Sequence, residues 1–199
     1  MKCSGAAARF GSALALLLAC VPAVGQEMPV PVEVQAPIFL KVVTFEKRIA
    51  DAKGQDFVLG VVYQSGYRLS VAVKDRFVDF AGREAANGPA GRLLRIVPLD
   101  LDGKESLDAM IRRAGVAALY VAPLRAFDVA EIAAVTRRNG VLSLTGVPAY
   151  VEAGLSITLM LNQDRPRIVV NLAAARAEGA ELAAALMNLA TVFQGEKRR

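Results

Sequence analysis

The chain contains no histidine and no tryptophan, and its two cysteines, Cys3 and Cys20, both lie near the N-terminus. Each absence removes chemistry. Without imidazole there is no Ser-His-Asp triad, and without a thiol beyond Cys20 the body of the chain has no cysteine nucleophile. An ordinary zinc site draws on the same two residue types, so no metal site is expected. Disulfides cannot support the domain either, although an oxidising compartment would permit them. The glycine patterns that cradle nucleotides are also missing. Tyr63-Gln64-Ser65-Gly66 stands where a Gly-x-Gly-x-x-Gly would follow the first strand, and no P-loop Gly-Lys-Ser/Thr occurs. No cofactor and no catalytic residue are assigned from this inventory.

What is present starts with a leader. Lys2 and Arg9 form a positive n-region, and the run from Ala13 to Val21 carries no charge. That run is shorter than the roughly 20 apolar residues needed to span a bilayer. Ala23-Val24-Gly25 supplies the small residues of a cleavage site, so residues 1–25 read as a signal peptide. Two alternatives stay open: an uncleaved anchor, and a lipoprotein. The second rests on Leu17-Leu18-Ala19-Cys20, which resembles a lipobox with a bulky Leu18, and a lipid on Cys20 would tether the protein to a membrane. Either way the chain works outside the cytoplasm.

Charge is modest. The chain has 24 Lys and Arg against 19 Asp and Glu, and losing Lys2 and Arg9 takes the net charge from +5 to +3. Much of the excess is the basic tail at residues 196–199. Lys47-Arg48, Arg112-Arg113 and Arg137-Arg138 fall near predicted helix ends, where cations complement the helix dipole. No basic surface interleaved with aromatics is evident, so no nucleic-acid partner is expected.

Pro29, Pro31 and Pro37 mark residues 26–36 as an extended, proline-rich linker. Residues 37–195 then form one α/β domain. A helix is predicted from Ile38 to about Asp51, and Phe57 to Tyr63 is a continuous apolar run suited to a strand buried on both faces. Ser65 is a candidate cap for a helix carrying Leu69, Val73, Phe77 and Phe80. Further strands are expected at Leu93–Leu99, Val116–Val121 and Val141–Thr145. Asp102 with Glu105, and Asp128 with Glu131, have capping-box spacing for the helices between them. Asn139-Gly140 should end the second of these. Leu155–Leu161 and Ile168–Leu172 suggest a hairpin, and Ala173–Phe193 is strongly helical by propensity. Strands alternating with helices imply a Rossmann-like or flavodoxin-like α/β sandwich. Its sheet would be mainly parallel, with a C-terminal antiparallel hairpin and a final helix.

In such folds ligands meet the carboxyl edge of the sheet. Gln64, Ser65, Pro123, Arg125, Thr145 and Tyr150 fall there and are candidate ligand-binding residues, Arg125 pointing to an anion. Their alternative role is that of exposed turn residues. Asp100 and Asp102 lie at the same edge as a candidate metal or acid/base pair, against the simpler reading that Asp102 caps a helix and Asp100 starts a turn.

Phe39-Leu40-Lys41-Val42-Val43-Thr44-Phe45, followed by Val58-Leu59-Gly60-Val61-Val62-Tyr63, resembles the opening of the YfiR/HmsC-like family. The close is similar too: Gly154 with an alternating strand, Arg167-Ile168-Val169-Val170-Asn171-Leu172, then an Ala-rich segment. The resemblance runs from about Pro37 to Phe193. It implies a small periplasmic protein without catalytic activity. The best-known members restrain a membrane-bound diguanylate cyclase by binding its periplasmic sensor domain, and so limit cyclic-di-GMP signalling and biofilm formation. The expected partner is therefore an inner-membrane cyclase or sensor kinase. Two features depart from the family. Val116 stands about where many members carry a redox cysteine, and Ile168 replaces an aromatic common in the closing strand. Disulfide-based sensing is therefore not carried over.

Candidate partner surfaces are the first helix, through Phe39 and Val43 (with Phe45), and the last, through Leu189 and Phe193 (with Leu186). Amphipathic faces normally bury inside their own domain, so core is the competing role for both. A homodimer fits the commonest form of assembly. The alternative function is a periplasmic small-ligand binding protein for transport or sensing. An enzyme working with carboxylates alone comes last.

Overall fold

Residues 27–52, 56–84 and 88–193 are described in a computed structural model of the chain; the leader, both cysteines and the basic tail lie outside them. The strand signals carry through. β1 (Phe57–Tyr63), β2 (Leu94–Asp100), β3 (Ala118–Val121) and β4 (Leu142–Thr145) are parallel, in the order β2-β1-β3-β4. β5 (Ile157–Asn162) adds parallel to β4, and β6 (Arg165–Val170) returns antiparallel to β5 through a turn at Gln163-Asp164. β7 (Thr191–Val192) closes the far edge parallel to β6, so the described residues form one seven-stranded sheet.

Two helical layers cover it. Phe57, Leu59 and Val61 pack into the layer of α1 (Val32–Val43) and α3 (Arg68–Gly82). Val58 and Val62 pack into the opposite layer, with α4 (Leu107–Ala114) and α5 (Val129–Asn139). An unbroken apolar strand is what a sheet covered on both faces requires. The expected α/β sandwich with a mainly parallel sheet is the fold.

Several local expectations are corrected. The supposed linker at 26–36 is partly helix, because α1 starts at Val32 with Pro31 as its N-cap and Pro37 inside it. Burial of Val32, Ala36, Phe39, Val42 and Val43 outweighs the bond that Pro37 cannot make. Nor does one helix run on to Asp51. The chain turns at Thr44-Phe45, and α2 (Lys47–Asp51) starts afresh, capped by the buried Glu46 carboxylate, which accepts from Ile49 N at 2.7 Å. Ser65 does not cap α3, whose N-cap is Tyr67. Ser106 rather than Asp102 caps α4, its Oγ accepting from Ala109 N. Asp128 does cap α5, which ends at Gly140 as the Asn-Gly pair suggested.

The largest departure is at the C-terminus. Beyond the short α6 (Ala149–Glu152) and the hairpin, the predicted long helix is split into α7 (Leu172–Ala177), α8 (Ala184–Leu189) and β7. Helix propensity is a few tenths of a kcal/mol per residue and yields to tertiary contacts. Here Glu178 turns inward as a fully buried acceptor, and Gly179 takes a left-handed φ of 71°. The next residues form a strap against the α1–α2 corner, with Ala183 N on Phe45 O at 2.8 Å and Glu181 N on the Glu46 carboxylate at 3.0 Å.

One glycine is fixed by close approach. A Cβ on Gly146, just after β4, would strike the Gln35 carboxamide. That carboxamide is buried and held by the Tyr120 hydroxyl at 2.9 Å and by Val30 O at 2.6 Å, so it cannot step aside. Gly146→Ala should therefore cost about 1–3 kcal/mol in urea unfolding followed by circular dichroism. Unchanged stability would mean that Gln35 yields freely.

Candidate functional site

The carboxyl edge of the parallel strands brings the turns after β1, β2 and β3 together. Gln64 joins all three. Its Oε1 accepts from Arg125 N at 2.6 Å, its Nε2 donates to Asp102 Oδ1 at 3.3 Å, and its own N–H donates to Ser70 Oγ at 3.0 Å. Asp102 Oδ2 accepts from Gly66 N at 2.7 Å, and Asp100 Oδ1 accepts from Ser65 N at 3.0 Å and Asp102 N at 3.1 Å. The two aspartates therefore bind backbone amides and organise the turns. Asp102 is fully explained by these bonds and not by the expected helix cap.

The electrostatics agree. Burial pushes the Asp100 carboxyl up, but hydrogen bonds from Ser65 and Asp102 and the charge of Lys74 outweigh it and hold the group below its ordinary value. Its support for the turn is present above the unfolded pKa and is lost as pH falls through the lower folded value.

Six residues are expected to line this edge as a ligand site, and they divide. Gln64, Ser65 and Arg125 meet at the surface, with Ser65 and Arg125 exposed. Thr145 and Tyr150 reach the same edge but are buried and spoken for. Thr145 Oγ1 donates to Val121 O and accepts from Val147 N. The Tyr150 hydroxyl accepts from Leu124 N at 2.7 Å, and burial pushes its pKa up to about 12. Pro123 is buried as well. Beside this edge an open groove of about 410 Å³ runs between the β2–α4 turn and α5, floored by Leu101, Phe127, Ile132 and Val135 and rimmed by Lys104 and Glu131.

The expected partner surfaces divide in the same way. Phe39 and Val43 are buried in the core, so the first helix offers no such surface there. Leu186 is core too, whereas Leu189 is 60% exposed and Phe193 is half-buried beside β7. The sequence reading passed over the tip of the β5–β6 hairpin, where Met160 and Leu161 are each 44% exposed. The available signal was a mismatch of lengths, since the alternating run at 155–161 outlasts the four-residue β4 beside it.

Among the described residues, no three His, Cys, Asp or Glu side chains gather where they could hold a metal, and no helix is long and apolar enough to cross a membrane.

The seven-stranded, mainly parallel sheet covered by helices on both faces defines the α/β sandwich class. Several solved structures share this fold, among them these three. An ABC domain in complex with L-Trp from Streptococcus pneumoniae aligns with a TM-score of 0.54 at 13% identity, over 81% of this chain and 60% of its own. A conserved domain protein from Vibrio cholerae gives 0.52 at 14%, over 82% of this chain and 60% of its own. A substrate binding protein with adhesive properties from Clostridium difficile, in its ligand-free open form, gives 0.53 at 15%, over 78% and 59%. The chain thus spans about three-fifths of the length of these structures, and at such identities the likeness is one of fold. No curated protein sequence matches the chain significantly. The YfiR/HmsC-like family model matches residues 33–191, and the chain belongs to this family of periplasmic regulatory proteins.

Proposed function

We propose that this protein is a non-enzymatic periplasmic regulator that binds the periplasmic domain of an inner-membrane signalling protein, a diguanylate cyclase or a sensor kinase, and so adjusts cyclic-di-GMP output and biofilm formation. The observation that carries this reading is the family match at 33–191, which takes in the whole sheet and both helical layers. The residue inventory agrees, since the carboxylates at the sheet edge are engaged in holding backbone amides. In-cell crosslinking and pull-down of the tagged mature protein from its native envelope should return a membrane cyclase or kinase as the dominant partner. Recovery of the protein free in the periplasm, with no membrane partner, would overturn the reading.

The second reading is a small-ligand binding protein, favoured by the substrate binding protein among the fold relatives and by the open groove between the β2–α4 turn and α5, whose lining includes Phe127, two residues from Arg125. Binding stabilises the native state by mass action. A thermal-shift screen of small anions would then give a rise in melting temperature that Arg125→Ala abolishes.

A further inference from the structure

β5 outgrows the sheet. It pairs with β4 only at Ile157 and Thr158, then continues through Leu159–Asn162 with β6 as its one neighbour among the described residues. β6 in turn meets β7 only at Val169 and Val170. Leu159 is still buried in the core, so the hairpin projects about 10 Å past the carboxyl edge, three residues at about 3.3 Å each, with both backbone edges open among the described residues. No other backbone hydrogen bond of the described residues reaches 159–168.

The two edges differ. Pro166 withholds an N–H from the β6 edge, a common guard against strand pairing, whereas Leu159–Asn162 on the β5 edge contains no proline. The faces differ as well. Cross-strand register places Met160 opposite Arg167, and Asn162 opposite Arg165, on one face. Both arginines are exposed and make no ion pair among the described residues, and the only acid of the arm, Asp164, lies at the turn beyond them.

We infer that this arm is the docking element of the protein, taking an extended acidic segment of the partner as an added strand on the β5 edge. Main-chain bonds to the Leu159–Asn162 edge supply attachment, and Met160, Leu161 and the arginine pair supply selectivity. A second copy of this chain paired through the β6 edge fits less well. Pairing two arms by their β6 edges sets arginine beside arginine and meets Pro166 twice. The inference rests on the regulatory reading above, because it names the surface by which that partner binds.

A photoreactive benzoylphenylalanine placed at Met160 or Leu161, or at the exposed control positions Leu69 and Leu93, separates the outcomes in intact cells. From the arm it should crosslink to an extended acidic peptide of a cyclase- or kinase-bearing membrane protein, identified by mass spectrometry. Arg165→Glu with Arg167→Glu should cut that capture about tenfold or more at an unchanged melting temperature, and the double lysine variant should retain it. Capture of the membrane partner from Leu69 or Leu93 but not from the arm would leave the regulatory reading standing and overturn this one. A crosslink from the arm to a second copy would overturn it in favour of a dimer. No membrane partner from any position would remove both readings together.

Discussion

Tyr120→Ala should bring the protein close to unfolding, with a loss of about 4–5 kcal/mol and a fall of about 10–20 °C in melting temperature. Tyr120 is fully buried in β3. Phe77 stacks on its ring at 3.8 Å between centroids, and Phe39 packs tilted against it at 5.9 Å. These three side chains join α1, α3 and the centre of the sheet. Truncation leaves a ring-sized cavity between elements that cannot close together, and it removes aromatic contacts worth a further 0.5–1.5 kcal/mol or so. It also takes the hydroxyl from Gln35 Oε1 and leaves a buried acceptor unmet. Total stabilities of domains are only about 5–15 kcal/mol, so the loss is a large share. Tyr120→Phe keeps the stack and should cost only about 1–2 kcal/mol. Urea unfolding of both variants checks the partition. Equal losses would show that the hydroxyl, rather than the ring, carries the effect.

The second large effect belongs to Glu178. Its carboxyl group is fully buried and accepts from Thr136 Oγ1 at 2.7 Å, Ser143 Oγ at 2.6 Å, Ser143 N at 3.0 Å and Ser156 Oγ. α5, β4 and the start of β5 thus converge on one side chain at the end of α7. Glu178→Ala would strand these donors and should cost about 3–5 kcal/mol. Burial raises the carboxyl above its ordinary value, more than the hydrogen bonds from Ser143, Ser156 and Thr136 lower it. The geometry shows a further reason. The Thr136 hydroxyl has one proton and two acceptors, Glu178 Oε1 and Ala133 O. A protonated Glu178 could donate to Thr136 and free its proton for Ala133.

The sign of the pH dependence follows from a raised folded pKa. Below the unfolded value, about 4.3, both states hold the proton and the contribution is fully present. As pH rises through the higher folded value the unfolded state releases its proton first, and stability falls. Asp100 works in the opposite sense at lower pH, so melting curves from pH 4 upward isolate Glu178. Glu178→Gln imitates the protonated form. It should fold, and it should flatten the decline in melting temperature that sets in above about pH 4.5. A slope unchanged in Glu178→Gln would assign the titration to another group.

Part of this architecture was open to reading from the residues. An apolar run such as Phe57–Tyr63 leaves no polar face, which demands cover on both sides and hence a parallel sheet. Asp128 and the Asn139-Gly140 pair marked the ends of α5 because capping and left-handed turns are local chemistry. At the candidate site, position along a strand was enough to bring Gln64, Ser65 and Arg125 to one edge. It could not tell that Thr145 and Tyr150 would be consumed by Val121 and Leu124, because those bonds connect separate segments. For the same reason it placed Asp102 at a helix start only a few residues away, when its partner, Gly66, lies in another turn.

The sequence by itself therefore determined the alternation of strand and helix, the absence of imidazole and thiol chemistry from the domain, and the family. Hydrophobic period, caps and residue inventory are all properties of short stretches. Only the tertiary structure decided that the Ala-rich C-terminus breaks at Glu178, that Phe39 and Val43 face inward, and that β5 outruns its neighbour to leave a basic arm in solvent. Each depends on contacts between residues far apart in the chain. A buried carboxyl group with four donors outweighs local propensity because desolvation and hydrogen bonding are worth several kcal/mol where propensity is worth tenths.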